Sequence, residues 1–168
     1  GVENQQLRRQ LELPSWHGSP LKPVEVLALA GEPTPTAAVL SAGRLQQIEI
    51  GDAVVTSEGL LGRVSESYPW TSRVLLLTDP NSAVACEVES TGVLGIVRFT
   101  TSPHPRLVLS GVPLADTVRT GQRVFTSGLS RRYPRGLPVG TVTHVGKDPS
   151  GLVQDIELIE AARLSRLR

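Results

Sequence analysis

Residues 51–64 read GDAVVTSEGLLGRV, and a related stretch, GQRVFTSGLSRRYPRGLPVGTV, occupies residues 121–142. Seven pairs of positions match. Four share an offset of 70: Gly51 with Gly121, Val54 with Val124, Thr56 with Thr126 and Ser57 with Ser127. Three have an offset of 77 or 78: Leu60 with Leu137, Gly62 with Gly140 and Val64 with Val142. In each copy the first glycine suits the positive φ of a tight turn, the valine suits a core, and Thr-Ser ends a strand. A repeat of this length predicts two related small β units.

Short apolar runs of strand length, separated by turn-forming residues, dominate the rest of the chain. Outside the repeat they lie at residues 22–30, 72–78, 83–88, 94–99, 106–111 and 153–159. The 16 glycines and 13 prolines also favour many short elements over a few long ones. Many short strands at regular spacing predict an all-β fold of the barrel or sandwich type.

The one helical pattern lies at the start of the chain, in VENQQLRRQLELP at residues 2–14. Leu7 and Leu11 stand at i, i+4, and Pro14 ends the run. Because polar residues fill the other faces, we interpret this helix as the tail of a longer amphipathic or coiled-coil helix; in a coiled coil, Leu7 and Leu11 would lie in the seam. A helix packed on its own domain is the alternative, since two leucines do not fix a heptad register.

The charge balance and the single cysteine exclude several classes of protein. There are 17 basic and 16 acidic residues, for a formal net charge of +1. A nucleic-acid-binding protein usually carries a clear basic excess, so no nucleic-acid partner is predicted. Cys86 has no second cysteine to pair with, and its alternation with Val84 and Val88 predicts a small buried side chain.

Membrane and targeting signals are absent from the sequence itself. It contains no run of 18 apolar residues and no signal-peptide pattern. The chain is therefore expected to be a soluble protein or the soluble piece of an anchored one. Its abrupt start within a helical pattern favours the second interpretation.

Ser127 is the candidate nucleophile that the repeat brings to attention. Its counterpart Ser57 occupies the same strand end, and two equivalent nucleophiles in one small protein would be unusual. A serine hydrolase also needs a base and an orienting group, whereas the histidines, at positions 17, 104 and 144, lie among prolines or on a strand. The Gly-x-Ser-x-Gly motif is missing, and no ligand spacing predicts a metal site. Ser127 is therefore predicted to be a turn residue.

Two loops carry the aromatic and arginine side chains that are enriched where proteins bind one another. One is the segment LSRRYPRG, which the first copy of the repeat lacks, and the other is SYPWTS at residues 67–72. A solvated loop is the alternative interpretation of each. The predicted partner-binding residues are Tyr68, Trp70, Arg131, Arg132, Tyr133 and Arg135.

These stretches together resemble a known family. Its likeness is carried by GDAVVTSEGLLGRVSE, TSRVLLLTDPNSAVACEV, LVLSGVP, VRTGQRVFTSGLSRRYPRGLPVGTVTHV and IELIEAARLSRL. They are similar to the extracytoplasmic domain of the rod-shape-determining protein MreC family, and ENQQLRRQLELP resembles the end of that family's coiled coil. The segment TSG…YPRGLPVG is the most specific part. We expect the structural turn and motif residues to be Gly51, Gly62, Gly121, Ser127, Gly128, Gly136, Pro138 and Gly140.

The resemblance implies a fold and a domain plan. It implies two small six-stranded β-barrels in a trypsin-like but non-catalytic arrangement, preceded by a short N-terminal helix that ends a coiled coil. We expect the helix at 1–14, a linker at 15–21, the first barrel at 22–98 and the second at 99–168, with strand exchange between the barrels allowed.

The resemblance also implies a role outside the cytoplasm. The family is anchored by one N-terminal helix and acts as a scaffold of the cell-elongation machinery. The implied partners are a class B penicillin-binding transpeptidase, MreD, MreB through the cytoplasmic part, and a second copy of the protein; no cofactor is implied. A two-barrel serine hydrolase and a cell-wall glycan-binding module are the alternative functions, although six aromatic residues offer little material for a glycan platform.

One position departs from the family pattern. Gln122 follows Gly121 where an acidic residue is often found. If that acid caps the turn, the substitution is expected to cost a few tenths to about 1 kcal/mol.

Overall fold

The computed structural model describes residues 21–163, and this part of the chain is all-β. It contains one turn of 3-10 helix at Arg44–Gln46 and eleven strands: β1 Val26–Ala30, β2 Ala37–Leu40, β3 Ala53–Thr56, β4 Gly59–Ser67, β5 Ser72–Leu76, β6 Ala83–Val88, β7 Leu94–Thr100, β8 Arg106–Ser110, β9 Arg123–Thr126, β10 Pro138–Lys147 and β11 Gln154–Glu160. The described residues form two units, 21–79 with 162–163, and Pro80–Ala161.

The first unit is a five-stranded antiparallel sheet in the order β1-β2-β5-β4-β3. Its core is aliphatic, as the composition requires, and consists of Ala38, Leu40, Leu61, Val74, Leu76 and Ala162. A second small cluster contains Ala42, Ile48 and Val64. Because Ala162 follows β11, the chain returns to the first unit after completing the second.

The second unit is a closed six-stranded barrel with the ring order β10-β11-β8-β7-β6-β9. Aliphatic side chains that alternate along the strands fill its interior, among them Val84, Val88, Val97, Leu107, Leu109, Val124, Val142, Ile156 and Leu158. Closure leaves each strand hydrogen-bonded on both sides, so the barrel has no edge strand.

Both units use the same strand order. The sheet β1-β2-β5-β4-β3 corresponds to β7-β8-β11-β10-β9, and β6 is the additional strand that pairs with both β7 and β9 and closes the barrel. The all-β prediction is confirmed. Of the two six-stranded barrels predicted, the described residues form one, together with a five-stranded sheet.

The division between the units also lies elsewhere than the sequence suggested. The expected boundary at residues 98 and 99 falls inside β7, whereas the structure divides the chain after Asp79. The physical reason is strand pairing: Cys86 on β6 lies opposite Thr126 on β9, and Val97 on β7 lies opposite Leu109 on β8. Both strands are therefore held in the second unit.

The predicted repeat is present as one backbone corner built twice. Gly51 N–H donates to Val64 O over 2.8 Å, and Gly121 N–H donates to Val142 O over the same distance. In the strands that follow, Val54 lies opposite Gly62, just as Val124 lies opposite Gly140. Both corner glycines adopt positive φ, 96° and 89°. The spacing of the matched residues therefore reflects equivalent hydrogen bonds and pairings.

Gln122 keeps the cap of its turn. In the first unit Asp52 Oδ2 accepts a hydrogen bond from Glu49 N over 2.9 Å, and in the second Gln122 Oε1 accepts one from Arg119 N over 2.8 Å. An amide oxygen can accept this bond as a carboxylate does. The substitution therefore exchanges one acceptor for another, and the expected loss of a cap does not occur.

The predicted coiled-coil helix at 1–14, with Leu7 and Leu11, lies outside the described residues, as do residues 15–20 of the predicted linker. Within residues 21–163, no helix is long and apolar enough to cross a membrane.

Candidate partner-binding surfaces

Ser127 lies at the end of β9 and serves the backbone around it. Its N–H donates to Ala85 O over 3.0 Å, and its Oγ accepts a hydrogen bond from Leu129 N over 3.3 Å. His104 instead contacts Glu157, with 3.3 Å between Nε2 and Oε1, and neither it nor His144 is bonded to Ser127 in the described structure. His17 falls outside that part. The surroundings of Ser127 are those of a turn serine.

Cys86 lies in the barrel interior, on the inward face of β6. Burial away from water raises the pKa of its thiol to about 12. The thiol is therefore protonated at neutral pH and is not a nucleophile there. Within residues 21–163, no group of three or more His, Cys, Asp or Glu side chains could hold a metal ion.

This burial gives a direct chemical prediction. At pH 8 the native protein should react with iodoacetamide far more slowly than the same protein in guanidinium chloride, because the thiol is both inaccessible and protonated. Mass spectrometry of the carbamidomethylated chain measures the difference. Equal rates in the two conditions would contradict the placement of Cys86 in the core.

The arginine loop, residues 127–137, is fastened at its base. Thr126 N donates to Leu137 O and Gly136 N donates to Thr126 O, each over 2.9 Å. The buried Thr126 hydroxyl adds two bonds, donating to Pro134 O over 2.5 Å and accepting from Leu137 N over 2.9 Å. The loop therefore leaves and re-enters the barrel at a fixed point.

Four glycine and proline positions of the predicted motif shape this loop and the strand after it. Gly128 and Gly136 have φ of 76° and 91°, conformations that favour glycine. A Cβ on Gly128 would lie 2.9 Å from Arg135 Cβ, and one on Gly140 would lie 2.7 Å from Ile159 O. Pro138 is the first residue of β10 and lies opposite Phe125. The motif is thus a set of positions with conformational or steric demands.

Tyr133 is the one predicted binding residue whose side chain is buried. It is 5% exposed, so it anchors the loop on the barrel and is not available to a partner. Arg131, Arg132 and Arg135 are exposed. Arg135 Nε donates to Glu87 Oε1 over 3.0 Å, which places this guanidinium on the outer wall of the barrel.

That outer wall carries an apolar surface, which we call the barrel face. On β6 the inward residues are Val84, Cys86 and Val88, so the residues between them point outward. Strand register places Ile96 of β7 opposite Ala85 of β6, and Leu94 of β7 opposite Glu87 of β6. On its other side Glu87 lies opposite Phe125 of β9. The barrel face consists of these five residues. Leu94 is 49% exposed and Ile96 39%.

Two arginines border the barrel face. Arg135 binds Glu87, and the guanidinium of Arg123 lies over the Phe125 ring, 4.9 Å from its centroid. Leu94, Ile96 and Phe125 were missed by the sequence reasoning, which sought binding residues in the loops. The available signal was LGIVRF at 94–99, where apolar residues occupy both faces of one strand, because a strand with a solvated outer face normally alternates.

Tyr68 and Trp70 lie in the first unit, in the turn between β4 and β5, and they are 49% and 68% exposed. The 3-10 turn packs beside them, since Arg44 N donates to Tyr68 O over 2.6 Å and Leu45 N donates to Pro69 O over 3.1 Å. Leu45 is 58% exposed. The predicted binding residues thus divide between the two units, with the exposed aromatics on one and the arginines on the other.

Comparison with known proteins identifies the family. The family model described as "Rod shape-determining protein MreC, barrel core" matches residues 26–168. The cell shape-determining protein MreC of Haemophilus influenzae is 31% identical over 167 residues, which is 99% of this chain and 47% of that protein. MreC of Cereibacter sphaeroides is 38% identical over 117 residues, covering 70% of this chain and 38% of the relative. The chain thus spans less than half the length of these relatives.

Solved structures agree in fold. The crystal structure of MreC from Pseudomonas aeruginosa superposes with a TM-score of 0.78 at 30% identity, over 85% of this chain and 92% of that one. A chain from the complex between Penicillin-Binding Protein (PBP2) and MreC from Helicobacter pylori superposes with a TM-score of 0.68 at 17% identity, over 86% and 90% of the two chains. Both the family model and the relatives lead to one conclusion: this chain belongs to the MreC family of rod shape-determining proteins.

Proposed function

We propose that this chain is a non-enzymatic scaffold of the bacterial cell-elongation machinery, which binds a class B peptidoglycan transpeptidase and promotes its active state. Membership of the MreC family supports the cell-shape role. The Helicobacter pylori complex of a protein with the same fold and a penicillin-binding protein supports the choice of partner. The turn environment of Ser127 gives no support to a hydrolase.

The observation that carries the binding proposal is the barrel face. Leu94 and Ile96 on β7 expose apolar surface on a rigid strand, beside Phe125 on β9. Exposed apolar and aromatic side chains that flank the Glu87–Arg135 ion pair, with Arg123 beside them, form a mixed surface of the kind that proteins bind. A closed barrel presents these side chains with little ordering cost, because the strands that carry them are already fixed.

Arg135 supplies orientation to this surface. Its bond to Glu87 holds the guanidinium against the barrel and leaves its remaining donors free to meet a carboxylate of the partner. Arg123, stacked on Phe125, offers a second cation. We therefore expect the transpeptidase to contribute an apolar patch with acidic residues at its edge.

Promotion of the active state follows from differential affinity. A scaffold that binds one conformation of the transpeptidase more tightly than another shifts the population toward the first. A change from 1:99 to 99:1 requires about a 10⁴-fold preference, whereas a tenfold preference produces a tenfold shift in the ratio. The barrel face would therefore recognise surface that only the active arrangement presents.

Properties of the full-length protein belong to the same proposal. We place this chain outside the cytoplasm, on a single N-terminal membrane helix, with MreD as membrane partner and MreB reached through the cytoplasmic part. Self-association is assigned to the helix that contains Leu7 and Leu11.

A paired substitution tests the barrel face. Leu94→Asp with Ile96→Asp should weaken binding of the purified transpeptidase by about tenfold or more, because two carboxylates would be buried without partners in the interface. Biolayer interferometry with the transpeptidase ectodomain measures the affinity. The control is Leu152→Asp, a side chain 76% exposed in the β10–β11 turn of the same unit. Unchanged affinity in the double variant, with unchanged thermal unfolding, would rule out this face.

A further inference from the structure

We propose that the first unit contacts the surface of an anionic phospholipid bilayer through its hairpin tip, defined as residues 43–47 and 67–72. The tip presents three apolar or aromatic side chains, Leu45, Tyr68 and Trp70, each exposed by about half or more. A patch of this kind on a small domain marks a binding surface. This inference is separate from the proposed function, since it uses none of the barrel face.

The tip is rigid, so its side chains are held outward by the backbone. Tyr68 N donates to Thr71 O over 2.8 Å and closes the turn, while Ser67 Oγ donates to Ile48 O over 2.6 Å. The two segments approach so closely that a Cβ on Gly43 would lie 1.9 Å from Tyr68 O. A surface fixed in this way loses little conformational entropy when it binds.

Charge favours a lipid surface as the occupant. GRLQQ at 43–47 and SYPWTS at 67–72 contain no acidic residue and include Arg44. Lys22 adds a second cation, with its Nζ 3.3 Å from Gln47 O. Of the flanking acids, Glu66 is paired with Arg73 at 3.8 Å, and Glu49 follows the tip. Tryptophan and tyrosine concentrate at membrane–water interfaces, and nearby cations are attracted to anionic headgroups.

The size of the tip also favours a bilayer over a protein. Three side chains of this kind, each about half exposed, present on the order of 300 Å². A stable protein interface needs about 800 Å² from each partner. The affinity of a protein surface for lipid increases with the apolar area buried and with the attraction of its cations to anionic headgroups, so a small patch can suffice for weak, reversible contact.

Vesicle co-sedimentation tests the proposal on the whole 168-residue chain. The wild type should bind vesicles of phosphatidylglycerol and phosphatidylethanolamine, bind phosphatidylcholine vesicles more weakly, and lose affinity as salt is raised. Tyr68→Ser with Trp70→Ser should reduce binding about tenfold, and Arg44→Glu should reduce it on anionic vesicles. Leu152→Ser, at an exposed position on the second unit, is the control that should bind as wild type does.

Three results would overturn the lipid assignment. One is a wild type that does not sediment with anionic vesicles. Another is a Tyr68→Ser, Trp70→Ser variant that unfolds at the same temperature as wild type and binds vesicles equally. The third is a tip variant that binds vesicles as wild type does but loses transpeptidase affinity or saturable glycan binding, which would make the tip a protein or glycan site. Failure of the barrel-face test leaves the vesicle-binding readouts unaffected.

Discussion

Gly62→Val should abolish the folding of the first unit. Gly62 lies in the middle of β4, opposite Val54 on β3 and Leu76 on β5. A Cβ at this position would lie 2.1 Å from Leu75 O and 3.0 Å from Val74 Cγ1. The closer neighbour is a backbone oxygen of the adjacent strand, which can move only if the β4–β5 pairing opens. We expect a loss above about 4 kcal/mol, a large fraction of the stability of a small domain.

Urea unfolding followed by hydrogen-exchange mass spectrometry measures this loss, because peptides from β4 and β5 report on the first unit by themselves. Gly51→Ala is the matched control in the same repeat. Its φ is 96°, and apart from chain neighbours no described atom lies within 4 Å of a Cβ built there. Backbone strain alone should then cost about 1–2 kcal/mol. Equal effects of the two substitutions would contradict the steric explanation.

Thr126→Val should destabilise the barrel by about 3 kcal/mol. The Thr126 hydroxyl is buried and makes two hydrogen bonds, to Pro134 O and from Leu137 N. Valine has nearly the same shape but neither a donor nor an acceptor. The Leu137 N–H would lose its partner in a buried place, and an orphaned buried group costs about 1–3 kcal/mol. The base of the arginine loop would also lose the hydrogen bond from the Thr126 hydroxyl to Pro134 O.

Urea denaturation of the two single variants separates this effect from that of the neighbouring serine. Ser127→Ala removes one long hydrogen bond, 3.3 Å from Leu129 N, and should cost less than about 1 kcal/mol. It should also leave transpeptidase binding unchanged, whereas a hydrolase would lose its turnover. If Ser127→Ala proved the more damaging of the two, the role assigned to Thr126 would be wrong.

The repeated corner could be predicted because its causes are local. Gly51 and Gly121 need positive φ, and the matched valines and threonines follow at fixed spacing. These demands act within a few residues and therefore leave a pattern in the sequence. The same pattern predicts a turn role for Ser127.

The remaining features depend on pairing between distant parts of the chain. Cys86 and Thr126 lie opposite each other although 40 positions separate them, and Arg135 binds Glu87 across 48 positions. Nothing in the local pattern near β6 indicates that it closes the barrel of the second unit. The barrel face was missed for the same reason, since it is assembled from three strands that only the register brings together.

The hydrogen-bonded base of the arginine loop makes the fold of the second unit independent of the residues in the middle of that loop. In the first unit Thr56 and Gly59 are joined by Ser57 and Glu58 alone, whereas in the second the equivalent strands are joined by residues 127–137. The longer connection begins directly after Thr126, and its last two residues, Gly136 and Leu137, are hydrogen-bonded to that threonine. The residues in its middle can therefore be substituted while the barrel keeps its geometry. The second unit can therefore acquire new specificity through this loop, whereas the first unit joins the equivalent strands by a two-residue turn.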